Sequence, residues 1–405
     1  MERADVIIIG AGVSGLAAAL TLQNAGISCI LLESSNSIGG RIKTIIKDGF
    51  TLDVGFQVLL ENYSELKRFG IWDSLNFRKF RSGAIVSREG YLNWYSNPIL
   101  DPTGFLKSGF NFPFPLSETF AVLGLYMDAL RTNDDFQELK SAFSTMEYLR
   151  MKGISQKTID EFFVPFFGGV LLDTTLEAGN QYFLWLFRNF MTGYAGLPRG
   201  GMQTLPFGLA SKLKNQESIR LNYEVINISD YQVNCRNGKI FQSSFIIDST
   251  GQTSKWSNKF RTTTTVYLKG SVNKEITSSL VLNGNQDGNI LHFCFPSAVQ
   301  AGYAPTGNSL CSVTLRNASA DPNIPAILKE LKQLLPDIDW EKWTYLHHFF
   351  IPKAIPEHQS GPKAHFRQEG NTFFVGDIES YPSINGAMRS GREAAEKIIE
   401  LQRKD

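Results

Sequence analysis

Asp5-Val6-Ile7-Ile8-Ile9-Gly10-Ala11-Gly12-Val13-Ser14-Gly15 lies at the start of the chain, and its reading decides the fold. Apolar residues run straight into three glycines, and the next apolar residues recur at helical spacing. The pattern predicts a buried parallel strand, a tight turn and a helix. Each glycine answers a different demand. Gly10 lets the chain leave the strand sharply, Gly12 removes the side chain that would block a pyrophosphate, and Gly15 lets the helix close on the sheet. The helix N-terminus, with Ser14 in its first turn, then presents free N–H groups and a partial positive charge to the phosphates. Cys29-Ile30-Leu31-Leu32-Glu33 reads as a second strand that ends on an acid eighteen residues past Gly15. A carboxylate there can accept both hydroxyls of an adenosine ribose.

Strand, helix, second strand and terminal acid at these distances specify a dinucleotide, but they do not separate FAD from NAD. Gly39-Gly40-Arg41 makes that separation, because a second glycine pair and an arginine beyond the ribose acid suit a longer cofactor. With these residues the chain resembles the flavoprotein group that contains the flavin amine oxidases, protoporphyrinogen oxidases and phytoene-type desaturases and isomerases. The resemblance implies an α/β fold: a Rossmann-like FAD-binding domain of the glutathione reductase type, in three layers, with a discontinuous substrate domain of antiparallel sheet plus helices. The expected division gives the FAD domain residues 1–79, 196–261 and 359–405. The substrate domain takes 80–195, helical and aromatic-rich, and 262–358, an antiparallel sheet.

Thr44 to Asp53 has a hairpin pattern with Asp48-Gly49 as its turn. In the resembling family an Asp-x-Gly segment lies under the flavin ring, which places Gly55, Phe56 and Gln57 beside the isoalloxazine. Residues from about 80 to 195 read as helical stretches, among them Leu116 to Thr132 and Asp134 to Met151, with aromatic concentrations at Phe162–Val170 and Tyr182–Phe187. Most of these residues are core. A pocket built from the remainder, Phe166 and Phe167 included, suits a large apolar ligand.

Pro198-Arg199-Gly200-Gly201-Met202 matches a turn by which the family returns to the cofactor domain. Residues 219–241 read as a hairpin on the Asn237-Gly238 turn. The resemblance implies that Val225 meets the adenine through its backbone. Residues 262–358 alternate strand-like runs with a helix near Ile324 to Leu335. His347-His348 is the one close histidine pair, and adjacent strand residues face opposite sides, so no metal site is expected.

At the far end, Thr372 to Asp377 reads as a strand ending in Gly376-Asp377. The helix after Ser383 carries Ala387, Gly391, Ala394 and Ile398 on one smooth face. The Asp377 carboxylate can bind ribityl hydroxyls or order the pyrophosphate. The helix start at Asn385, Gly386, Ala387 and Met388 is expected to point at the flavin pyrimidine edge. This string resembles the C-terminal signature of the same flavoproteins. A covalent flavin enzyme of the amine oxidase type carries a cysteine in this stretch, where this chain has Glu379-Ser380-Tyr381, so the FAD is expected to be non-covalent. By the same resemblance Tyr381 lies near one wall of an aromatic cage and is a candidate substrate contact.

Composition narrows the rest. The 405 residues suffice for two domains, and 40 basic against 39 acidic residues leave no field to steer nucleic acid. Cys29, Cys235, Cys294 and Cys311 are scattered, as befits reduced core thiols in a cytoplasmic protein. The expected first strand starts within a few residues of Met1, so no signal peptide is expected. No stretch reaches the roughly eighteen apolar residues of a membrane span, so only peripheral membrane contact is open. Thirty phenylalanines favour a lipid-like or polyene substrate for an FAD-dependent oxidoreductase of desaturase, isomerase or oxidase type. No Ser-His-Asp, Cys-His or paired-carboxylate arrangement competes with the flavin as the reactive group, and no catalytic side chain is identified. Nothing in the sequence sets the oligomeric state. Two other readings stand beside this one. One is a flavin amine oxidase, and the other is a non-enzymatic prenyl carrier of the Rab GDP-dissociation inhibitor type. A carrier has no use for Gly10, Gly12, Gly15, Glu33 and Asp377 together.

Overall fold

Strand Val6–Ile9 alternates its side chains between two different cores, and this alternation explains the layering around it. Val6 and Ile8 pack on the side of helix Val13–Asn24, in one cluster with Leu16, Ala394 and Ile398. Ile7 and Ile9 face the other way, onto Val233, Cys235 and Phe241. In the computed structural model this strand is near the centre of a six-stranded sheet. Cys29–Glu33 and Ile219–Leu221 lie parallel to it on one side. Phe245–Asp248 and Thr372–Phe374 follow on the other, and an antiparallel strand, Arg367–Glu369, closes that edge. A four-stranded sheet containing Val225–Ser229, Gln232–Cys235 and Ile240–Gln242 covers one face. Helices Val13–Asn24 and Ile384–Gln402 cover the other. The structure describes residues 1–107, 114–132, 143–229, 231–252, 259–271, 277–285, 287–357 and 364–403.

The second body is a seven-stranded sheet whose longest members are Phe260–Gly270 and Trp343–Pro356. One face is filled by Val266, Phe293, Val313 and Trp340 against helix Ile324–Leu334. The other face looks toward the cofactor loops, with Tyr267 and Cys294 packing on Phe50 and Leu52. Among the described residues no helix is long and apolar enough to cross a membrane.

Two details differ from the sequence reading. Residues 219–241 are not one hairpin. Ile219–Leu221 pairs in parallel with Leu31–Glu33, while Asn237-Gly238 turns Gln232–Cys235 back into Ile240–Gln242. Both segments look alike as apolar-polar alternations, and only the free edge beside Glu33 captures the first of them. Within the stretch read as helical, Ala84–Arg88 and Tyr91–Tyr95 form a hairpin that completes the seven-stranded sheet. Its turn residues are Glu89 at φ 51° and Gly90 at φ 82°, and the glutamate hid a turn that an asparagine would have advertised. Helix Thr119–Arg131 forms as expected, and a separate helix, Thr145–Met151, starts from a Ser144–Glu147 capping box. The residues from Asp134 up to 142 lie outside the described residues.

Candidate cofactor and substrate site

The glycines of the first turn divide their work as chemistry requires. Gly10 sits at φ +96°, in backbone space that favours glycine. A Cβ on Gly15 would lie 2.0 Å from the Gly10 carbonyl oxygen, so helix and turn are in backbone contact. A Cβ on Gly12 would meet nothing within 4 Å. The space above Gly12 is therefore free for a ligand. The second glycine loop closes beside it. Gly39 N donates to Ala11 O at 2.9 Å, and a Cβ on Gly40 would stand 3.3 Å from Gly12 Cα. Helix Val13–Asn24 has no side-chain cap and no acid in its first turn, which leaves its first N–H groups without helical acceptors. The buried Ser14 Oγ has no hydrogen-bond partner either. A cradle rich in donors and poor in acceptors fits a diphosphate.

Glu33 is oriented by that same turn. Its Oε2 accepts from Ala11 N at 2.8 Å, and its Oε1 accepts from Ser35 N at 2.9 Å and Ser35 Oγ at 2.7 Å. A carboxylate has about four acceptor positions, and Oε2, with one donor on it, keeps room for a ribose hydroxyl. Tyr223 N donates to Glu33 O and Asn222 N to Ser35 O, at 2.8 and 3.0 Å. These bonds bring the segment leading into Val225 alongside the acid. Half-buried Val225 opens strand Val225–Ser229 with a register shift before Asn227.

Arg41 and Asp377 meet as an ion pair across the other end of the cradle. Gly376, at φ +127°, donates its N–H to Ser390 Oγ at 2.9 Å. Ser383 caps helix Ile384–Gln402 by accepting from Gly386 N at 2.8 Å. A Cβ on Gly391 would lie 2.0 Å from Ser14 O, so the two helices touch backbone to backbone. The side chain of Asn385 is a strut. Its Oδ1 accepts from Glu65 N at 3.0 Å and its Nδ2 donates to Tyr381 OH at 2.9 Å. Ala387 and Met388 are buried beside it. What this helix start offers outward is backbone.

Gly55, Phe56 and Gln57 join the same end. Gly55 is at φ +89° under Ile351, whose Cδ1 would be 2.7 Å from an added Cβ. Phe56 N donates to Thr265 Oγ1 at 3.3 Å, and Gln57 Nε2 donates to Arg41 O at 3.1 Å. The sequence reading gave Asp53 no part beyond its motif, yet its buried carboxylate holds this corner together. It accepts from Thr44 Oγ1 at 2.6 Å, Met202 N at 2.8 Å and Tyr303 OH at 2.7 Å. Burial pushes its carboxyl up, and the three donors pull it back toward the ionised form. The Asp-x-Gly and Gly-Gly-Met stretches were each visible in sequence, but nothing there said that one binds the other.

Beyond Phe56 opens a cavity of about 450 Å³ lined by Phe80, Phe166, Phe167, Phe187 and Phe190, among others. Gln156–Thr158, Ile159–Phe163 and Val164–Leu171 form one continuous helical run, and its middle is a π segment that brings Phe162 and Phe163 onto this wall. Among the described residues, Arg81 is the one formally charged side chain in the lining, and its guanidinium lies over the Trp94 ring at 3.5 Å. Tyr381 does not line this cavity. Its ring packs 4.9 Å from Trp185, buried beside the start of the C-terminal helix. Lys353 is exposed, 5.5 Å from the Phe260 ring.

His292 escaped the sequence reading altogether. It is buried on strand Ile290–Cys294 with both ring nitrogens unpartnered, 5.1 Å from the Phe56 ring, and Gly169 leaves the room it occupies. Burial pushes its pKa down to about 4, so the imidazole is neutral. A lone histidine in an alternating strand carries no signal of this. The four cysteines are buried free thiols, and no metal-binding group of side chains occurs among the described residues.

The chain has known relatives. A family model described as flavin containing amine oxidoreductase matches residues 13–250, more than half of the chain. A 15-cis-phytoene desaturase of Narcissus pseudonarcissus is 26% identical over 172 residues, 40% of this chain and 30% of that protein. An L-amino-acid oxidase of Bothrops pauloensis is 28% identical over 247 residues, 55% of this chain and 46% of that protein. The chain thus spans less than half the length of these relatives. Cyclohexylamine oxidase from Brevibacterium oxydans has the same fold, with a TM-score of 0.70 at 18% identity over 99% of both chains. The chain belongs to the flavin containing amine oxidoreductases, with FAD as its cofactor.

Proposed function

We propose that the chain oxidises or rearranges a large apolar molecule, polyene-like or lipid-like, at non-covalently held FAD. The observation that carries this reading is the phenylalanine-walled cavity that begins at Phe56, with no carboxylate among its described lining residues to receive a cationic amine. Burial is worth about 25 cal/mol per Å² of apolar area, so a long hydrocarbon binds such walls with few polar contacts. A relative named as a phytoene desaturase supports the same substrate class. The relative named as an L-amino-acid oxidase supports the competing amine oxidase reading.

The three-layer arrangement around Val6–Ile9 supports a nucleotide-binding domain of the glutathione reductase type, with the seven-stranded sheet and the aromatic helices as the substrate side. In this reading Gly10, Gly12, Ser14, Gly15 and Gly40 receive the pyrophosphate. Glu33 takes the ribose and the Val225 backbone the adenine. Arg41, Gly376, Asp377 and the backbone of 385–388 hold the flavin side, beside Gly55, Phe56 and Gln57. Phe166 and Phe167 hold the substrate, while the buried Tyr381 steadies the helix start. Bound FAD supplies the electron-pair acceptor. The chain's own contribution is to orient the ligand, to keep water from the apolar cavity and to offer helix N–H groups where negative charge develops.

Stopped-flow spectroscopy of the purified holoprotein tests the proposal. Polyenes, porphyrinogen-like compounds or lipid-like donors should bleach the flavin absorbance fastest. Rapid bleaching by small amines or amino acids, with none by apolar donors, would move the assignment to an amine oxidase.

A further inference from the structure

The first turn of helix Ile384–Gln402 is tied down by its side chains and open along its main chain. Ser383 Oγ accepts from Gly386 N, and Ser383 O accepts from Ala387 N at 2.9 Å. The N–H groups of Ile384 and Asn385 meet no acceptor among the described residues, although Asn385 is fully buried. Free donors at a helix start are ordinary in water and costly in the interior, so these two call for an acceptor on a ligand.

The Asn385 side chain sets where those donors point. Glu65 N can only donate, so the amide oxygen must face it and the amide nitrogen faces Tyr381 OH, which leaves the amide one orientation. A Cβ on Gly386 would lie 2.3 Å from Tyr381 O, so the same turn is also pressed against the tyrosine. Glu65 belongs to helix Ser64–Arg68, and its buried carboxylate is gripped by Arg392, with Nε on Oε2 at 2.9 Å and Nη2 on Oε1 at 3.0 Å. Asn385 and Arg392 are seven residues apart, two turns along one face of the same helix. The bidentate pair fixes how far the two helices stand from each other, and the amide fixes the rotation of the first turn. An apolar side chain would fill this space without desolvating an amide, so the asparagine is there for direction.

We propose that Asn385 is a positioning residue for flavin reduction. By locking the first turn it keeps the Ile384 and Asn385 N–H groups on the flavin edge where negative charge develops, and so raises the reduction potential. The inference rests on the reading that puts this backbone on the flavin side, and it names the side chain that aims it.

The test is spectroelectrochemical titration of the FAD-loaded full-length protein, with thermal melting measured beside it. Asn385→Ala removes the amide and both of its bonds. It should weaken the binding of reduced relative to oxidised FAD about tenfold, which lowers the two-electron midpoint potential by about 30 mV. Tyr381→Phe keeps the ring and removes the acceptor of the amide nitrogen. It should act in the same direction by about threefold, and it carries the test if the alanine variant does not fold. Ile398→Val, on the buried face of the same helix, should lower the melting temperature without moving the potential. Ser383→Asp still caps the helix but sets a negative charge at its start, so a flavin edge placed there must lose potential. A shift with Ser383→Asp and none with Asn385→Ala or Tyr381→Phe would overturn the inference and leave the underlying reading standing. No shift with Ser383→Asp would sink the reading and the inference with it. An Ile398→Val shift as large as that of Asn385→Ala would also overturn the inference, because general loosening of the helix would then account for the effect.

Discussion

The cofactor cradle and the apolar cavity meet at Phe56, and they are built from opposite materials. The cradle is made of backbone. Its working surfaces are the bare Gly12, the helix N–H groups and the Gly39–Gly40 loop lying beside Ala11 and Gly12. The cavity is made of large side chains, contributed by segments as far apart as Phe56, Phe80, Phe166 and Phe190. At Gly15 and Gly391 a single methyl group collides with main-chain atoms that cannot move, while at Gly12 it would only take up the open space above the turn. A side-chain site tolerates exchange as long as volume and polarity are kept. The contrast makes the first half intolerant of change and the second half adjustable, as the proposed division between cofactor and substrate requires.

The largest test of this contrast is Gly15→Val. Its branched side chain would have to enter space already 2.0 Å from the Gly10 carbonyl, and the expected cost is more than about 4 kcal/mol, read as loss of soluble protein or of the cooperative melt. A normal melt for this variant would mean that helix and turn are not in backbone contact. Next comes Phe167→Ala in the cavity wall. Phe167 is 1% exposed, so the cavity left behind should cost about 3–5 kcal/mol in a denaturant titration. Half-buried Phe166 should cost less on truncation while weakening apolar ligands more. Equal stability losses would show that both residues are core and that neither belongs to a substrate wall.

A pH series reaches the junction of the two halves. His292 has a folded-state pKa of about 4, below its ordinary value of 6.5. The unfolded chain therefore binds a proton that the folded chain refuses, and stability is lost as pH falls from about 6.5 toward 4, by up to about 3 kcal/mol. His292→Leu should flatten that part of the stability curve. An unchanged slope would show that the imidazole finds a partner, and is not held neutral.

The smallest effect on folding belongs to Gly12→Ala. Nothing lies within 4 Å of its Cβ position, so the melting curve should move by no more than about 0.5 kcal/mol while FAD affinity falls. Unchanged affinity would mean that no pyrophosphate passes over Gly12.

Much of the cradle was legible because its parts are local. The Gly10-x-Gly12-x-x-Gly15 spacing, the strand ending at Glu33, the Asp48-Gly49 turn and the small face of the last helix each depend on neighbours within a few residues. The structure has Asp48 and Gly49 both at positive φ, as that hairpin turn demands. The partners across the chain were not legible. Gly391 against Ser14, Asp53 beneath Met202 and Tyr303, and Asn385 as a strut to Glu65 are pairings that no local pattern encodes.

What the sequence determined by itself is therefore the elements, the turns and the glycine-lined loop beside Glu33, since dihedral preference and side-chain periodicity act over a single turn or strand. The tertiary structure alone decided which strand Ile219–Leu221 joins, that Ala84–Tyr95 completes the second sheet, that Tyr381 is packed inside, and that His292 lies unpartnered beside Phe56. Each of these depends on which surface is left open after all the others have packed, a property of the whole assembly that no residue carries on its own.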